Sequence, residues 1–446
     1  MPRACAALLC LLAAAALAAP AAGSAPRRVR ISGRALTDAA TGATIVLSGP
    51  NVVVKGPPYL PSTDGAAAVC SDVVTDLCAA HGNCSSCTTF TALDAAHLAQ
   101  RGWNALRLGI VWAGAQPRDE DALDPAFVAR LHAVLALTDA HNLTVVLDNH
   151  GDMVGSLNCG NGLPAWFQQR AAPELIGAPL VTGFPFSLIP SLQVDALIPQ
   201  ACKANASLWR VASGQANYNL ANPCCQGMNA GGNPGGLGYT TLAQRSMDYL
   251  ITAGPGRDAF VRFWRLVAEA VAPHPSAFVA ELMNEPMSIW RQQMYDTWRA
   301  AGEAILQVVP DMAISVMDLG EGVLLPPWLS NFTGGGGDIS PDTLSWIKHS
   351  GSVIYMWHWY GVPSTAEEAV AYVQALGEEW GIPTFTSEFM DCAAWKAAAA
   401  AGISHLYWHY SAYCNTGASF ANTPTHDTFG ACILGWAGGD ANYTCT

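Results

Sequence analysis

The feature that most constrains the fold is a regular alternation of short apolar runs with helical patterns between about residues 43 and 410. Short, continuous apolar runs are typical of parallel strands that are buried on both faces. We predict eight strands, at 45–47 continuing into 52–54, 105–110, 144–147, 278–282, 313–317, 353–356, 384–386 and 404–407. Eight strands alternating with helices predict a (β/α)8 TIM barrel, with an open doubly wound sheet as the alternative.

Local signals place helices between these strands. Asp124 followed by Pro125 is typical of a helix start, because the carboxylate accepts hydrogen bonds from the first free backbone amides. Ser364 and Glu367 predict a capping box for a helix over 366–380. The helical patterns therefore fall where a barrel requires its crossover connections.

One connection departs from the alternation. The segment from about 151 to 254 follows the third predicted strand and is rich in Gly, Pro, Asn and Cys, with little periodicity. Loops this long inside a compact domain are usually functional or disordered, and four cysteines favour an ordered one. We expect a Cys-rich insertion that walls or covers the cleft at the catalytic end of the barrel, the alternative being an insertion without a function.

Charge and composition exclude several functions. Charged residues make up only 12% of the 446 residues and hydrophobic residues 51%, which is typical of a chain that builds a large core. The net charge is −13, and no basic run follows Arg34. This pattern excludes nucleic acid as a partner and disfavours binding to an anionic membrane surface.

The N-terminus predicts export. Arg3, an apolar run over 4–19 and small residues over 20–25 are typical of a cleaved signal peptide at 1–25, with an uncleaved anchor as the alternative. No later stretch approaches the roughly 20 apolar residues that span a bilayer, so we expect no stable membrane insertion. The remainder, 27–446, is predicted to be a single barrel domain of a secreted monomer.

Cysteines and glycosylation sequons agree with export. Of the 14 cysteines, two lie in the predicted signal and twelve fall into three groups of four. The groups are Cys70, Cys78, Cys84 and Cys87, then Cys159, Cys202, Cys224 and Cys225, then Cys392, Cys414, Cys432 and Cys445. In a secreted chain these predict disulfides, with zinc as the alternative at the C-x-x-C pair of the first group. Sequons for a glycoprotein occur at Asn83, Asn142, Asn205, Asn331 and Asn442.

Two of the predicted strands run into a glutamate. Glu285 follows the strand at 278–282, and Glu388 follows the strand at 384–386. The carboxyl ends of barrel strands meet at one face, where active sites are built. Two carboxyl groups about 5 Å apart, one protonated and one ionised, hydrolyse a β-glycoside with retention of configuration. We therefore predict that the catalytic residues are Glu285, as acid and base, and Glu388, as nucleophile.

Neighbouring residues suit these two roles. Asn284 can bond a sugar hydroxyl beside Glu285, and Arg107 and Tyr360 can donate to Glu388 and keep it ionised. Among other acidic groups, Asp148 is predicted either to line the cleft or to bind a backbone amide. Asp318, Glu321 and Asp391 also lie at strand ends and are the alternatives to the two glutamates.

The motifs resemble those of glycoside hydrolase family five, the cellulase-like retaining glycosidases. The matching segments are Asn104–Leu108, Leu147–His150, Met283–Pro286, Trp357–Tyr360, Ser387–Phe389 and Trp408. The resemblance implies a (β/α)8 barrel with its glutamates on the fourth and seventh strands. It also implies substrate binding by Arg107, His150, Asn284, His358, Tyr360 and Trp408. It implies no metal or other cofactor.

The family resemblance implies a secreted endo-β-glycanase acting on a β-glucan or β-mannan type polysaccharide. A narrower similarity joins 51–59 and 160–166 to endoglycoceramidases, which cut the bond between a glycan and ceramide. The chain departs from those enzymes in its longer insertion and in the absence of a C-terminal β-sandwich, so release of glycans from glycosphingolipids is the alternative. A non-catalytic carbohydrate-binding barrel is a third hypothesis, since a barrel fold does not by itself imply activity.

Overall fold

The computed structural model describes residues 27–63, 90–100, 102–184, 186–190, 193–209, 222, 224–225, 234–318, 339–360, 365–389 and 392–408. Several predictions fall outside these residues. They are the signal peptide at 1–25, the first cysteine group, Cys414, Cys432 and Cys445, the sequons at Asn83, Asn331 and Asn442, and the carboxylates Glu321 and Asp391.

Eight parallel strands close into a barrel, which confirms the predicted fold class. A two-stranded antiparallel hairpin, β1 (Val29–Ser32) and β2 (Ala35–Asp38), precedes it. The barrel strands are β3 (Ser48–Val52), β4 (Ala105–Gly109), β5 (Thr144–Asp148), β6 (Ala277–Glu281), β7 (Ala313–Val316), β8 (Val353–Trp359), β9 (Thr384–Phe389) and β10 (Ser404–Tyr407). They pair in chain order, and β10 pairs with β3 to close the ring.

The helices of the described residues lie between these strands. They are α1 (Ala92–Gln100), α2 (Trp112–Ala115), α3 (Pro125–Ala140), α4 (Ala165–Ala171), α5 (Gln200–Ala204), α6 (Thr241–Ile251), α7 (Pro255–Val271), α8 (Arg291–Val308), α9 (Pro341–His349), α10 (Ala366–Trp380) and α11 (Cys392–Ala400). Asp124 caps α3 as predicted. The bounds predicted for α10 are also confirmed, but its capping box uses Thr365 and Glu368, one position later than predicted.

The first barrel strand lies elsewhere than predicted. The prediction split it around the sequence Ser48–Asn51, because Gly, Pro and Asn are poor strand formers. The structure runs β3 through those residues. Gly49 is required there, because a Cβ atom on it would lie 1.7 Å from the carbonyl oxygen of Ala105 on the next strand. Close approach of two backbones therefore outweighs strand propensity at this position.

The barrel interior is apolar at the end away from the catalytic face. Val29 and Leu36 of the β1–β2 hairpin pack against Ala105, Phe278 and Ala313, which lie at the starts of barrel strands. The hairpin therefore closes this end of the barrel. Polar side chains inside the barrel occur toward the opposite end, where the strands finish.

The described residues of the insertion between β5 and β6 include an apolar core of their own. Leu157, Leu180, Val194, Trp209 and Leu237 are buried together there. Disulfides join Cys159 to Cys225 and Cys202 to Cys224, which confirms that these four cysteines form disulfides and gives the pairing that the sequence left open. Although the sequence of the insertion shows little periodicity, it includes α6, an eleven-residue helix that buries one face.

We expect the disulfides to stabilise the insertion. The double substitution of Cys202 and Cys224 with Ser should lower the free energy of unfolding by about 2–4 kcal/mol, because it frees the unfolded chain from a cross-link. Differential scanning calorimetry measures the effect. Lys203→Ala is the matched control, since the exposed pair of Lys203 with Asp195 contributes little. Equal melting temperatures for the double variant and the native protein would contradict the expectation.

Candidate active site

Glu285 and Glu388 meet at the carboxyl end of the barrel. Glu388 lies in β9, and Glu285 lies in the turn that follows β6. One carboxylate oxygen of each, together with one ring nitrogen of His358, lies within 4.8 Å of the others. The structure therefore brings the two predicted catalytic residues together at the separation typical of retaining glycosidases.

The backbone at Glu285 is unusual. Its φ angle is 39°, in the left-handed region that side chains rarely adopt. The preceding residue is fixed by a backbone hydrogen bond from the Asn284 amide to the carbonyl of Asn149, 3.1 Å long. Strained backbone of this kind persists only where its surroundings hold it, and it is concentrated at functional sites. The turn aims the Glu285 carboxyl across the barrel mouth toward Glu388.

Arg107 on β4 lies beneath the two glutamates and is wholly buried. Its Nε and Nη2 donate to the two oxygens of Glu281 at 2.6 and 2.7 Å, in a bidentate pair. Its Nη2 also lies 3.0 Å from an oxygen of Asp148. Burial would lower the pKa of Arg107, but Asp148, Glu281 and Glu388 raise it well above the usual range, so the guanidinium stays charged.

The same guanidinium reaches the catalytic residues. Its Nη1 donates to Glu388 at 2.5 Å and to the Asn51 side chain at 2.7 Å. Its Nη2 donates to the Asn284 side-chain oxygen at 2.7 Å. The Asn51 amide in turn donates to the carbonyl oxygens of Ser387 and Tyr407, so it fixes the backbone beside Glu388. Arg107 therefore positions Glu388 and Asn284, the residue before Glu285.

Glu388 is held in its ionised form. Burial would raise its pKa, but the positive charges of His358, Arg107 and His150 and a hydrogen bond from the Tyr360 hydroxyl lower the pKa to about 2. Each carboxylate oxygen has a donor, Arg107 on one side and Tyr360 on the other. An ionised carboxylate with oriented oxygens is the state that a nucleophile requires.

His358 on β8 links the two glutamates. Its Nδ1 lies 2.8 Å from a Glu285 oxygen and 3.7 Å from a Glu388 oxygen. Burial would lower the pKa of His358, but Glu388 and the hydrogen bond with Glu285 raise it. The His358 ring is hydrogen-bonded to Glu285 and lies beside Glu388, so it joins the two carboxyl groups in one network.

His150 and Trp408 line one side of the cleft. Their rings stack with centroids 5.3 Å apart, and Nδ1 of His150 lies 2.7 Å from Asp148. Burial would lower the pKa of His150, but Asp148 and Asp152 raise it to about 9. Lys55 covers the Trp408 ring at 4.6 Å and pairs with Asp152 at 2.5 Å. This side of the cleft is therefore polar and charged.

All eight predicted site residues converge at this end of the barrel, but sequence reasoning missed several of their partners. Glu281, Asn51, Lys55 and Asp152 contact them directly and were not predicted. Asn51 and Lys55 had a signal, since both lie in the segment 51–59 that is similar to endoglycoceramidases. Asp148 takes neither predicted role, because it is buried between Arg107 and His150.

Asp318 pairs with Arg291 at 2.8 Å and accepts a hydrogen bond from Tyr355, so it does not replace either catalytic glutamate in this geometry. Among the described residues, Glu285, His358 and Glu388 are also the group near enough to share a metal ion. Both Glu388 oxygens are already engaged, and the Arg107 charge opposes a cation there. We assign no ion to this group.

A small pocket lies on the Glu285 side of the cleft. Apolar side chains predominate in its wall, contributed by Val154, Leu163, Met247, Met283 and Met287. Three of these, Val154, Leu163 and Met247, come from the insertion. The cleft is therefore divided between a charged side around His150 and an apolar side next to Glu285.

Comparisons with known proteins show a similarity to endoglycoceramidases. No family model matches the chain. Over 152 residues the chain is 31% identical to endoglycoceramidase I of Rhodococcus hoagii (strain 103S), covering 34% of this chain and 25% of that protein. Over 241 residues it is 24% identical to the endoglycoceramidase of Hydra vulgaris, covering 53% of this chain and 36% of that protein. The matches therefore span well under half the length of either relative.

The crystal structure of an endogalactoceramidase has the same fold. It superposes with a TM-score of 0.53 at 16% identity, covering 86% of this chain and 74% of that one. The chain is thus a (β/α)8 barrel with the motifs of the cellulase-like glycosidases. The predicted resemblance, including the narrower similarity to endoglycoceramidases, is confirmed.

We expect Arg107 to be essential for stability. Arg107→Met should lower the free energy of unfolding by about 3–5 kcal/mol at neutral pH, because it leaves buried carboxylates without their counterion. Urea titration followed by tryptophan fluorescence measures the loss. Arg299→Met is the matched control, since Arg299 pairs with Glu303 on an exposed helix face and should cost about 0.3–0.5 kcal/mol. Similar losses for the two variants would contradict the role given to Arg107.

Proposed function

We propose that the protein is a retaining β-glycosidase that releases glycans from glycosphingolipids. The observation that carries the proposal is the pair Glu285 and Glu388, whose carboxylate oxygens come within 4.8 Å. Positive charges around Glu388 lower its pKa to about 2, which holds this carboxylate in the ionised form that a nucleophile requires.

In the first step Glu388 attacks the anomeric carbon and Glu285 donates its proton to the glycosidic oxygen. The bond between that carbon and oxygen breaks, the leaving group departs as an alcohol, and a covalent glycosyl–enzyme ester forms. Arg107 and Tyr360 hold Glu388 before the attack, since each donates to one of its oxygens. The hydrogen bond from His358 orients the Glu285 carboxyl.

In the second step Glu285, now a carboxylate, accepts a proton from water. The water oxygen attacks the anomeric carbon from the side that the leaving group vacated, and Glu388 is released. Two inversions at one carbon give net retention. The close approach of the two carboxylates supports this outcome, because an inverting pair needs room for a water molecule between them.

The apolar side of the cleft supports a lipid as the leaving group. Glu285 protonates the leaving oxygen, so the leaving group lies on the Glu285 side, where Met247, Met283 and Met287 line a pocket. A ceramide-like group presents apolar surface to these side chains, and Asn149 and Asn284 in the same wall can bond polar atoms close to the glycosidic oxygen. The similarity to two endoglycoceramidases also supports a lipid as the leaving group. The polysaccharide substrate inferred from the motifs alone therefore becomes the second hypothesis.

We further propose that the protein is exported as a monomeric barrel domain over 27–446 after removal of a signal peptide at 1–25. Two disulfides in the insertion support an oxidising compartment. Within the described residues, every helix is too short or too polar to cross a bilayer.

The first experiment offers the protein a glycosphingolipid, a β-1,4-glucan and a β-mannan. We expect glycan release from the lipid alone. Glu388→Gln should reduce turnover by roughly 10³-fold or more, because the nucleophile is removed. Glu303→Gln, on an exposed helix face, is the matched control and should remain active. Cleavage of glucan or mannan instead would restore the polysaccharidase hypothesis, and binding of glycans without any cleavage would indicate the non-catalytic barrel.

A second variant tests the acid. Glu285→Gln should slow hydrolysis of glycosphingolipids far more than that of aryl glycosides with acidic leaving groups, because only a poor leaving group needs protonation. Steady-state kinetics on both substrate types measures the ratio. Equal slowing of the two would count against the role of Glu285 as proton donor.

A further inference from the structure

The insertion carries an exposed apolar surface that the proposed chemistry does not use. Val181, Phe184 and Leu188 are 58%, 76% and 67% exposed. Within the described residues, they are half of the large apolar side chains that face solvent, and they fall within one short segment. We call these three residues the insertion patch. Exposed apolar surface that is concentrated in one place usually marks a contact with a partner or a membrane.

The patch is built on an ordered support. In the sequence, Leu180 precedes the patch, Phe186 lies between two patch residues and Val194 follows the patch. All three side chains are buried, so the backbone is anchored on both sides of the patch. The Ser187 amide donates to the Gly183 carbonyl at 2.9 Å, and the Phe186 ring packs 4.4 Å from that of Tyr239. The segment is therefore packed against the protein through the neighbours of the patch residues, while the patch residues themselves face solvent.

The support connects the patch to the cleft. Thr182 pairs with Thr240 in an antiparallel β-bridge. Gly238 lies two residues before Thr240 in the sequence. Gly238 packs so closely on Met287 that a Cβ atom would lie 3.1 Å from its side chain. The Gln244 side chain donates to the Gly238 carbonyl at 2.9 Å and closes the contact. Met287 lines the apolar pocket beside Glu285, so one packed unit holds both surfaces.

The sequence around the patch indicates the chemistry of its partner. No charged residue occurs between Glu174 and Asp195, in a chain whose net charge is −13. Attraction to anionic headgroups requires Lys or Arg, which this stretch lacks. A surface of zwitterionic lipid carries no net charge to repel the protein, and it accepts Phe, Leu and Val side chains at the boundary of its acyl region.

We propose that the insertion patch docks the enzyme on a zwitterionic lipid surface, with the apolar pocket beside Glu285 facing the same surface. This inference rests on the proposed function, since a glycosphingolipid is presented in a membrane. Docking is shallow and reversible, because only three side chains enter the interface and no helix of the described part of the chain is long and apolar enough to span it. The patch raises the local concentration of substrate without taking part in the reaction.

The test compares a patch variant with a control variant. The patch variant changes Val181, Phe184 and Leu188 to Ser. The control variant changes Leu93 and Tyr372 to Ser. These two side chains lie elsewhere on the barrel and are 79% and 56% exposed. Sedimentation with phosphatidylcholine vesicles measures the partition coefficient. We expect it to fall about tenfold or more for the patch variant and to stay unchanged for the control, given the loss of apolar area that enters the interface.

Hydrolysis separates docking from catalysis. With a glycosphingolipid in the same vesicles, KM should rise for the patch variant. With a short-chain glycosphingolipid dissolved as monomers, kcat and KM should match the native protein, which also shows that the variant folds. If the triple variant fails to fold, Phe184→Ser alone replaces it, with an expected partial loss of partition.

The other outcomes are decisive as well. Equal partition of the native and patch proteins overturns the docking proposal, even if glycosphingolipid is hydrolysed. A native protein that hydrolyses no glycosphingolipid but loses vesicle binding on patch substitution overturns the proposed function and retains the lipid contact. If light scattering shows that the patch substitutions convert a dimer into a monomer, the surface contacts a second copy of the chain and the docking proposal is wrong.

Discussion

The guanidinium of Arg107 is the group on which the rest of the site depends. It contacts three carboxylates, on Asp148, Glu281 and Glu388, which lie on three different strands. All three carboxylates are buried, so each would be strongly disfavoured as an anion without a counterion. Only Arg presents several donors in a rigid plane that serves all three at once. The barrel can therefore hold an ionised nucleophile in a buried position.

Residues with a strained backbone lie mostly at the carboxyl ends of the barrel strands, where the candidate active site is built. Six residues other than Gly have positive φ angles among the described residues. Five of them, Tyr59, Met153, Val154, Cys159 and Glu285, lie in connections that follow barrel strands, which is the catalytic end. Val154 and Glu285 both line the apolar pocket. Such conformations cost about 1–3 kcal/mol each and need a surrounding structure that holds them. Here the rest of the barrel supplies that support.

Much of the fold could be predicted, because buried parallel strands are continuous apolar runs that need no tertiary information to recognise. The strand at Ser48–Val52 could not be predicted in this way. Gly49 is required by the close approach of the neighbouring backbone, and Asn51 accepts a hydrogen bond from Arg107. Glu388 and Glu285 were identifiable from their strand ends and motifs. Glu281 was not, since its importance comes from a partner 174 residues away in sequence. Sequence patterns report burial and local geometry, whereas a buried polar network is defined by which strands become neighbours.

The barrel strands and the insertion contribute different side chains to the cleft. Barrel strands supply charged groups of the cleft, including Arg107, His358 and Glu388. The insertion supplies Val154, Leu163 and Met247 to the apolar pocket. A segment of this length orders only if its own contacts offset the lost conformational entropy, and its separate core and two disulfides provide them. The three pocket side chains, however, are buried in the barrel core and not in the insertion's own core. A substitution that reshapes the pocket therefore also disturbs the packing of the barrel that holds Glu285 and Glu388.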